Sequence, residues 1–295
     1  MKNLWAHLAV LAANLIYGAN YSIAKTVMPE YLMPLGFVMV RVAVTAALFC
    51  LCALFIREKE KLSRSHYVQL ALCGLFGVAA NQLLFFAGLN LTQPVNAALM
   101  MTTNPVLVLL MAHFMIHEKI SILRASGILL ALSGAAFLIL YGKKVLLTAG
   151  SATGDLMVFL NSLSFAIFLV LVKPLMLRFH VLTVMKWTFL FGLIPVTFFG
   201  FQEVQQGRWM EMNTMVWLSV GYVVIATTFL AYLLNITALQ QLDASQVSVY
   251  IYLQPVFASA FSVLFGKGYP QWIHLIAAML IFSGIALTAK KSSGR

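Results

Sequence analysis

Apolar residues run through this chain in blocks of roughly 20, the length that crosses about 30 Å of hydrocarbon, separated by short polar connectors. The pattern predicts ten helices, over 5–28, 35–56, 67–90, 93–116, 122–141, 154–175, 181–201, 214–235, 243–266 and 271–289. Little more than NLTQP joins the third to the fourth, and QLDAS the eighth to the ninth, so each pair is expected to form an antiparallel hairpin. The opening MKNLWAHLAVLAAN begins like a signal peptide, but its apolar run continues to about Met28 and reads as a retained first helix.

The pattern also repeats. Residues 88–139 align without a gap on 238–289 at an offset of 150, placing Pro105 on Pro255, Val106 on Val256, Leu130 on Leu280, Ser133 on Ser283, Gly134 on Gly284 and Ala136 on Ala286. An amide precedes each proline, Asn104 and Gln254. Five helices per copy is an odd number, so the second copy crosses the membrane in the opposite sense. The predicted fold is an all-α integral membrane protein of ten transmembrane helices in two inverted five-helix repeats, over 1–142 and 154–295, with 143–153 as linker. Loop charge agrees: HEKISILR is basic where its mate KGYPQWIH has lost most of that charge, and REKEKLSRSHY faces the near-neutral QEVQQGRWMEMN. Placing the basic connectors inside gathers Arg57, Lys59, Lys61, Arg64, Lys119, Arg124, Lys173 and Arg178 on the cytoplasmic side, with both termini. A multi-pass protein of the cytoplasmic (inner) cell membrane is expected.

Composition narrows the chemistry. With 62% hydrophobic and 9% charged residues and a mean hydropathy of +0.94, the chain cannot be an ordinary soluble domain, which carries roughly a quarter charged residues. The net charge of +11 does not point to nucleic acid, because the cations are scattered through short connectors. Cys50, Cys52 and Cys73 have no metal-ligand spacing and read as small hydrophobes. No HExxH, no GxSxG with a plausible partner, no Walker loop and no Cys/His cluster occurs, so no metal, cofactor or enzymatic activity is expected.

Polar side chains inside the spans are costly in lipid and are expected to face the interior. Asn14, Tyr17 and Tyr21 share one face of the first helix, and Asn81, Gln82 and Phe85 mark the third. Met100 and Asn104 share a stripe of the fourth, and Asn161 and Phe165 lie on the sixth. Tyr232 and Asn235 lie on the eighth, Tyr250 and Gln254 on the ninth. Each amide alone reads as well as interhelical glue as it does as the lining of a pathway. Their recurrence on repeat-related helices favours a substrate-binding set. Pro105 and Pro255 lie deep in their helices and free the carbonyls of Met101 and Ile251, giving either static kinks or symmetry-related hinges.

All eight acidic residues fall in connectors or near helix ends, so no mid-membrane carboxylate is expected to carry protons. Lys25 and Arg41 are expected to snorkel toward the outer surface, with attraction of a substrate carboxylate as the alternative, and His113 reads as structural. Small-residue faces on the fifth and tenth helices, with Gly127, Ala131, Gly134 and Gly284, suit scaffolding or a homodimer contact.

These residues together resemble the drug/metabolite transporter superfamily in its EamA-type branch. The resemblance spans nearly the whole chain: NLIYGANYSIAK ending in Lys25, Arg41, NAALMMTTNPVLVLLMAHFMIHEK with Pro105 and Glu118, GDLMVFLNSLSFAIFLVLVK with Asp155 and Lys173, and the helix around Pro255. One departure is Gly268, where the second copy lacks a mate for Glu118. The resemblance implies a central cavity walled by helices one, three, four, six, eight and nine, and export or exchange of small metabolites. The expected function is alternating-access secondary transport of a small polar or zwitterionic solute, an amino acid or similar, with the lipid bilayer as the other partner. A non-saturating pore and a membrane-embedded sensor or enzyme are the rival readings.

Overall fold

The computed structural model describes residues 4–23, 26–56, 60–92, 94–141, 149–264, 269 and 272–289. Its helices follow the predicted blocks: α1 (Leu4–Ile23), α2 (Pro34–Ala53), α3 (Arg64–Leu91), α4 in two pieces (Pro94–Met101 and Asn104–Ile116), α5 (Ile122–Leu140), α6 (Ala149–Met176), α7 (Val181–Gln205), α8 (Thr214–Ala238), α9 (244–264) and α10 (Trp272–Ala289). Helix ends carry ordinary signals. Pro34 opens α2, while Ser121 and Asn213 accept backbone N–H bonds at the starts of α5 and α8. His117, at φ 55°, ends α4.

Two boundaries differ from expectation. The described part of α1 ends at Ile23, and Val27 and Met28, expected within it, lie in a turn, while α6 includes Ala149, inside the stretch predicted as linker. The small residues Ala149 to Thr153 continue the helix upstream instead of breaking it. The rest of that linker, 143–148, and Lys25 lie outside the described residues.

The packing reveals a pseudo-twofold relation between the repeats. α1 packs on α8 and α9, and α6 packs on α3 and α4, the same relation with the halves exchanged. α5 pairs with α10 and α2 with α7, each helix against its own mate. The α5–α10 contact depends on close backbone approach: a Cβ at Gly127 would sit 2.7 Å from the Gly284 carbonyl oxygen, and one at Gly134 3.0 Å from that of Ala277. Gly127, Gly134 and Gly284 are therefore turned onto the mate helix within one chain. Outward faces carry large apolar side chains, including Leu129, Ile194, Phe198, Ile225, Leu275 and Met279, as lipid contact requires.

Two pairs of irregularities obey the repeat. α3 has a π-helical segment at Leu75–Ala80 and α8 one at Val223–Leu230, overlapping at the 150-residue offset. α4 breaks at Thr102 and Thr103, and α9 tightens to 3-10 geometry at Val249–Tyr252, each just before its proline. Such departures release backbone carbonyls inside the bundle, where only protein or water can bind them.

Candidate functional site

Arg41 anchors the centre. It is 5% exposed on α2, so the expected snorkelling does not occur; the side chain turns inward between α3 and α8. Its Nε donates to Thr228 Oγ1 at 3.1 Å, and that hydroxyl donates to the Val223 carbonyl at 2.8 Å, within the π-helical segment of α8. The guanidinium carbon lies 5.2 Å from the centre of the Phe86 ring and 5.8 Å from that of Phe37. Among the described residues no carboxylate pairs with it. Tyr17 and Tyr232 lie within electrostatic range of its charge, and Asn235 Nδ2 donates to the Ala231 carbonyl at 3.0 Å within α8. An uncompensated buried cation carries a desolvation cost of several kcal/mol, so this arrangement needs a reason beyond packing.

Tyr232 faces the same centre from α8. Its hydroxyl reaches the Gly77 carbonyl at 3.0 Å and Asn81 Oδ1 at 3.3 Å. From α6, Asn161 Nδ2 donates to the Asn81 carbonyl at 2.5 Å and Ser164 Oγ to the Phe76 carbonyl at 2.7 Å. The π-helical stretch of α3 is thus satisfied by side chains of two neighbouring helices. Gln82, the repeat mate of Tyr232, is different: it is 4% exposed, and neither atom of its amide has a hydrogen-bond partner. The amide faces the Tyr232 hydroxyl without reaching hydrogen-bond geometry.

Other predicted residues tie helices together. Asn104 Nδ2 donates to the Ser162 carbonyl at 2.7 Å, joining α4 to α6, and Gln254 Nε2 donates to Asn14 Oδ1 at 2.9 Å, joining α9 to α1. The two donors are repeat-equivalent and so are the helix pairs they join, although one acceptor is a backbone carbonyl and the other a side chain. Asn104 Oδ1 remains without a partner although the residue is 3% exposed. The equivalent residues Thr102 and Tyr252 meet between the halves, the Tyr252 hydroxyl donating to the Thr102 carbonyl at 3.0 Å. Beside them, Met101, Thr102, Gln254 and Pro255 border a cleft of about 260 Å³ that includes open solvent.

The remaining predicted residues do not join one site. Tyr250 pairs with His7 Nδ1 at 2.7 Å, near the start of α1. Phe85 packs edge-on against Phe86, and Phe165 against Phe168. Met100 is half-buried and offers its carbonyl to Ser162 Oγ at 3.3 Å. The Tyr21 side chain lies outside the described residues. Sequence reading left Arg41 out of the binding set and gave it attraction of a substrate carboxylate only as the alternative to snorkelling. The usable signal was a cation on an apolar helix whose Thr45, one turn later, is also fully buried and unpartnered.

A second charged cluster lies at the end of the bundle that holds the α4–α5 and α8–α9 connections. Arg124 bridges Glu118 and Asp243, both at 2.6 Å, and Lys173 binds Asp243 at 3.0 Å and the Leu242 carbonyl at 2.6 Å. Ser245 Oγ donates to Glu118 at 2.8 Å, and His113 contacts the Glu118 carbonyl at 3.1 Å, the structural role expected of it. Burial raises the Glu118 carboxyl above its usual range despite Ser245 and Arg124. Burial also opposes ionisation of Asp243, but Lys173 and Arg124 together outweigh it and hold that carboxyl below its usual range.

Comparison with known proteins agrees with this geometry. The EamA-like transporter family matches the chain twice, at residues 4–140 and 152–290. An uncharacterized transporter of Bacillus subtilis (strain 168), YyaM, is 28% identical over 98% of this chain and 94% of its own length. An uncharacterized transporter of Archaeoglobus fulgidus is 23% identical over 98% and 99%, and the WALLS ARE THIN 1 protein of Arabidopsis thaliana 24% identical over 96% and 82%. A solved protein structure superposes with a TM-score of 0.79 over 96% of both chains at 19% identity, a likeness of fold. The chain is a multi-pass membrane transporter and belongs to the EamA-like transporter family, within the drug/metabolite transporter superfamily.

Proposed function

We propose that the protein is a secondary transporter that exports or exchanges a small organic metabolite, an amino acid or similar, across the cytoplasmic membrane by alternating access, with both termini in the cytoplasm. The observation that carries this reading is the polar centre around Arg41 and Gln82, built from both repeats and enclosed by their helices. Inverted halves have two arrangements of similar energy, each opening one side of a shared site. The interrupted α4 and α9, with Pro105 and Pro255, supply bending points at equivalent positions. In this orientation the Glu118–Arg124–Asp243–Lys173 cluster closes the cytoplasmic end by tying the second repeat's hairpin to the first.

Flux into proteoliposomes across a panel of amino acids and related metabolites, with and without a pH gradient, tests the reading. Saturable, counter-stimulated flux is expected, and replacing Gln82 and Asn104 with Leu should abolish it while expression is kept. Linear, non-saturating flux with single-channel conductance would replace alternating access with a pore.

A further inference from the structure

We propose that the transported solute is a monocarboxylate of net charge −1, its carboxylate received by the terminal amino groups of Arg41 with the Gln82 amide beside it. The inference rests on the transport reading above and narrows its small organic metabolite to a carboxylate without an ammonium group, in place of an amino acid.

A buried and a part-buried arginine can be compared within one molecule. Both terminal nitrogens of Arg124 sit on carboxylate oxygens at 2.6 Å. Arg41 engages only its Nε, on Thr228, and its two terminal nitrogens bond to no described residue. That unoccupied edge is a planar fork of N–H donors, the geometry that matches a carboxylate in two parallel bonds. Gln82 adds an unengaged donor and acceptor on the neighbouring helix, one turn from Phe86, whose ring the guanidinium overlies. Buried amides are almost always hydrogen-bonded, so an amide without partners beside a cation without a counter-charge indicates a missing third group.

Charge selects the class. Among the described residues the centre holds one cation and no anion, so a monoanion neutralises it. A cationic solute would meet unshielded repulsion, and the ammonium of a zwitterion would find no carboxylate. A dianion such as a phosphate monoester would leave a negative charge uncompensated in a low-dielectric site. Tyr17 and Tyr232 lie near the same charge and Phe86 lies beneath it, so the surroundings of the guanidinium are aromatic.

The test uses the full chain in lipid nanodiscs. Binding and thermal stabilisation are measured with 3-phenylpropanoate and 4-methylpentanoate, with their primary amides as uncharged isosteres, and with phenylalanine and leucine as zwitterions. The acids should bind at least about tenfold more tightly than their amides or the zwitterions. Arg41→Gln should bring acid and amide to within about twofold, and Arg41→Lys should keep part of the difference. Equal binding of acid and amide by the unmodified protein, or no stabilisation by either acid at millimolar concentration, overturns the proposal without any variant having to fold. Discrimination that survives Arg41→Gln overturns it as well. Discrimination without flux in proteoliposomes would keep the carboxylate site and remove the transport reading. Saturable flux of amides or zwitterions that ignores Arg41 would do the reverse.

Discussion

Arg41, buried, and Arg124, part-buried, both lie on apolar helices of the first repeat, yet they stand in opposite electrostatic circumstances. Arg124 lies at a helix start where two connections meet, and carboxylates from both repeats compensate it. Arg41 lies inside the bundle with a hydroxyl and two aromatic rings around it and no counter-charge. A compensated charge at a seam between repeats holds the seam shut. An uncompensated charge at the centre lowers the resting stability and is favoured only if something else supplies its partner. The first arrangement stabilises one conformation; the second is ready to bind.

The contrast is open to direct attack. The largest effect is expected at Arg41: the Gln variant should lose about a hundredfold or more in flux, the scale of a lost charge-assisted contact, while its thermal midpoint stays level or rises. A collapse in stability instead would make Arg41 a structural residue and end the comparison.

Asp243→Asn should do the converse. It leaves Lys173 and one arm of Arg124 without an anion, and a loss of about 1–2 kcal/mol is expected after allowing for screening of a carboxylate that is 37% exposed. Cysteine labelling near the inner ends of α4 and α9 should increase. Unchanged labelling would show that the cluster does not close that end.

Tyr232 and Gln82 sharpen the comparison on a smaller scale, since they are repeat mates with unequal bonding. Tyr232→Phe should cost about 1 kcal/mol by orphaning the Gly77 carbonyl. Gln82→Leu breaks no protein hydrogen bond and should leave the denaturation midpoint unchanged or raised. Equal destabilisation by the two would mean that Gln82 has a partner after all.

Acid titration should give the smallest effect. The Asp243 carboxyl is held low, so its contribution is complete above its ordinary value near 3.8 and is lost as pH falls through a lower folded value. Glu118 is raised, so its ionised form is disfavoured in the folded protein and stability declines slightly as pH rises through its folded value. Glu118→Gln should therefore flatten that decline and shift stability at neutral pH by no more than about 0.5 kcal/mol. A clear loss of stability at pH 7 in this variant would reverse the assigned sign.

Much of the architecture was legible in the chain. Hydrocarbon thickness fixes how long an apolar block must be, so the ten helices appear within a few residues of their predicted limits. The prolines announced where α4 and α9 lose regularity, and the amides before them bond across repeat-related interfaces. The π-helical segment of α3 was not legible, because its carbonyls are met by side chains of neighbouring helices, Ser164 and Tyr232. Tyr250 was misgrouped for a related reason: it shares a stripe with Gln254, but that stripe runs through the 3-10 turn of α9, and Tyr250 meets His7 near the start of α1.

Sequence alone determined that the chain spans a membrane as two repeated bundles, since apolar block length, an odd helix count per copy and the 150-residue offset are all properties of one dimension. Only the tertiary structure decided which polar residues compensate one another. Whether a cation snorkels or is buried depends on where neighbouring helices place hydroxyls, rings and carboxylates, and helices distant in the chain set those positions. For that reason Arg124 found its anions in two connections, one 6 and the other 119 residues away along the chain, and Arg41, with an equally ordinary position in its helix, found none among the described residues.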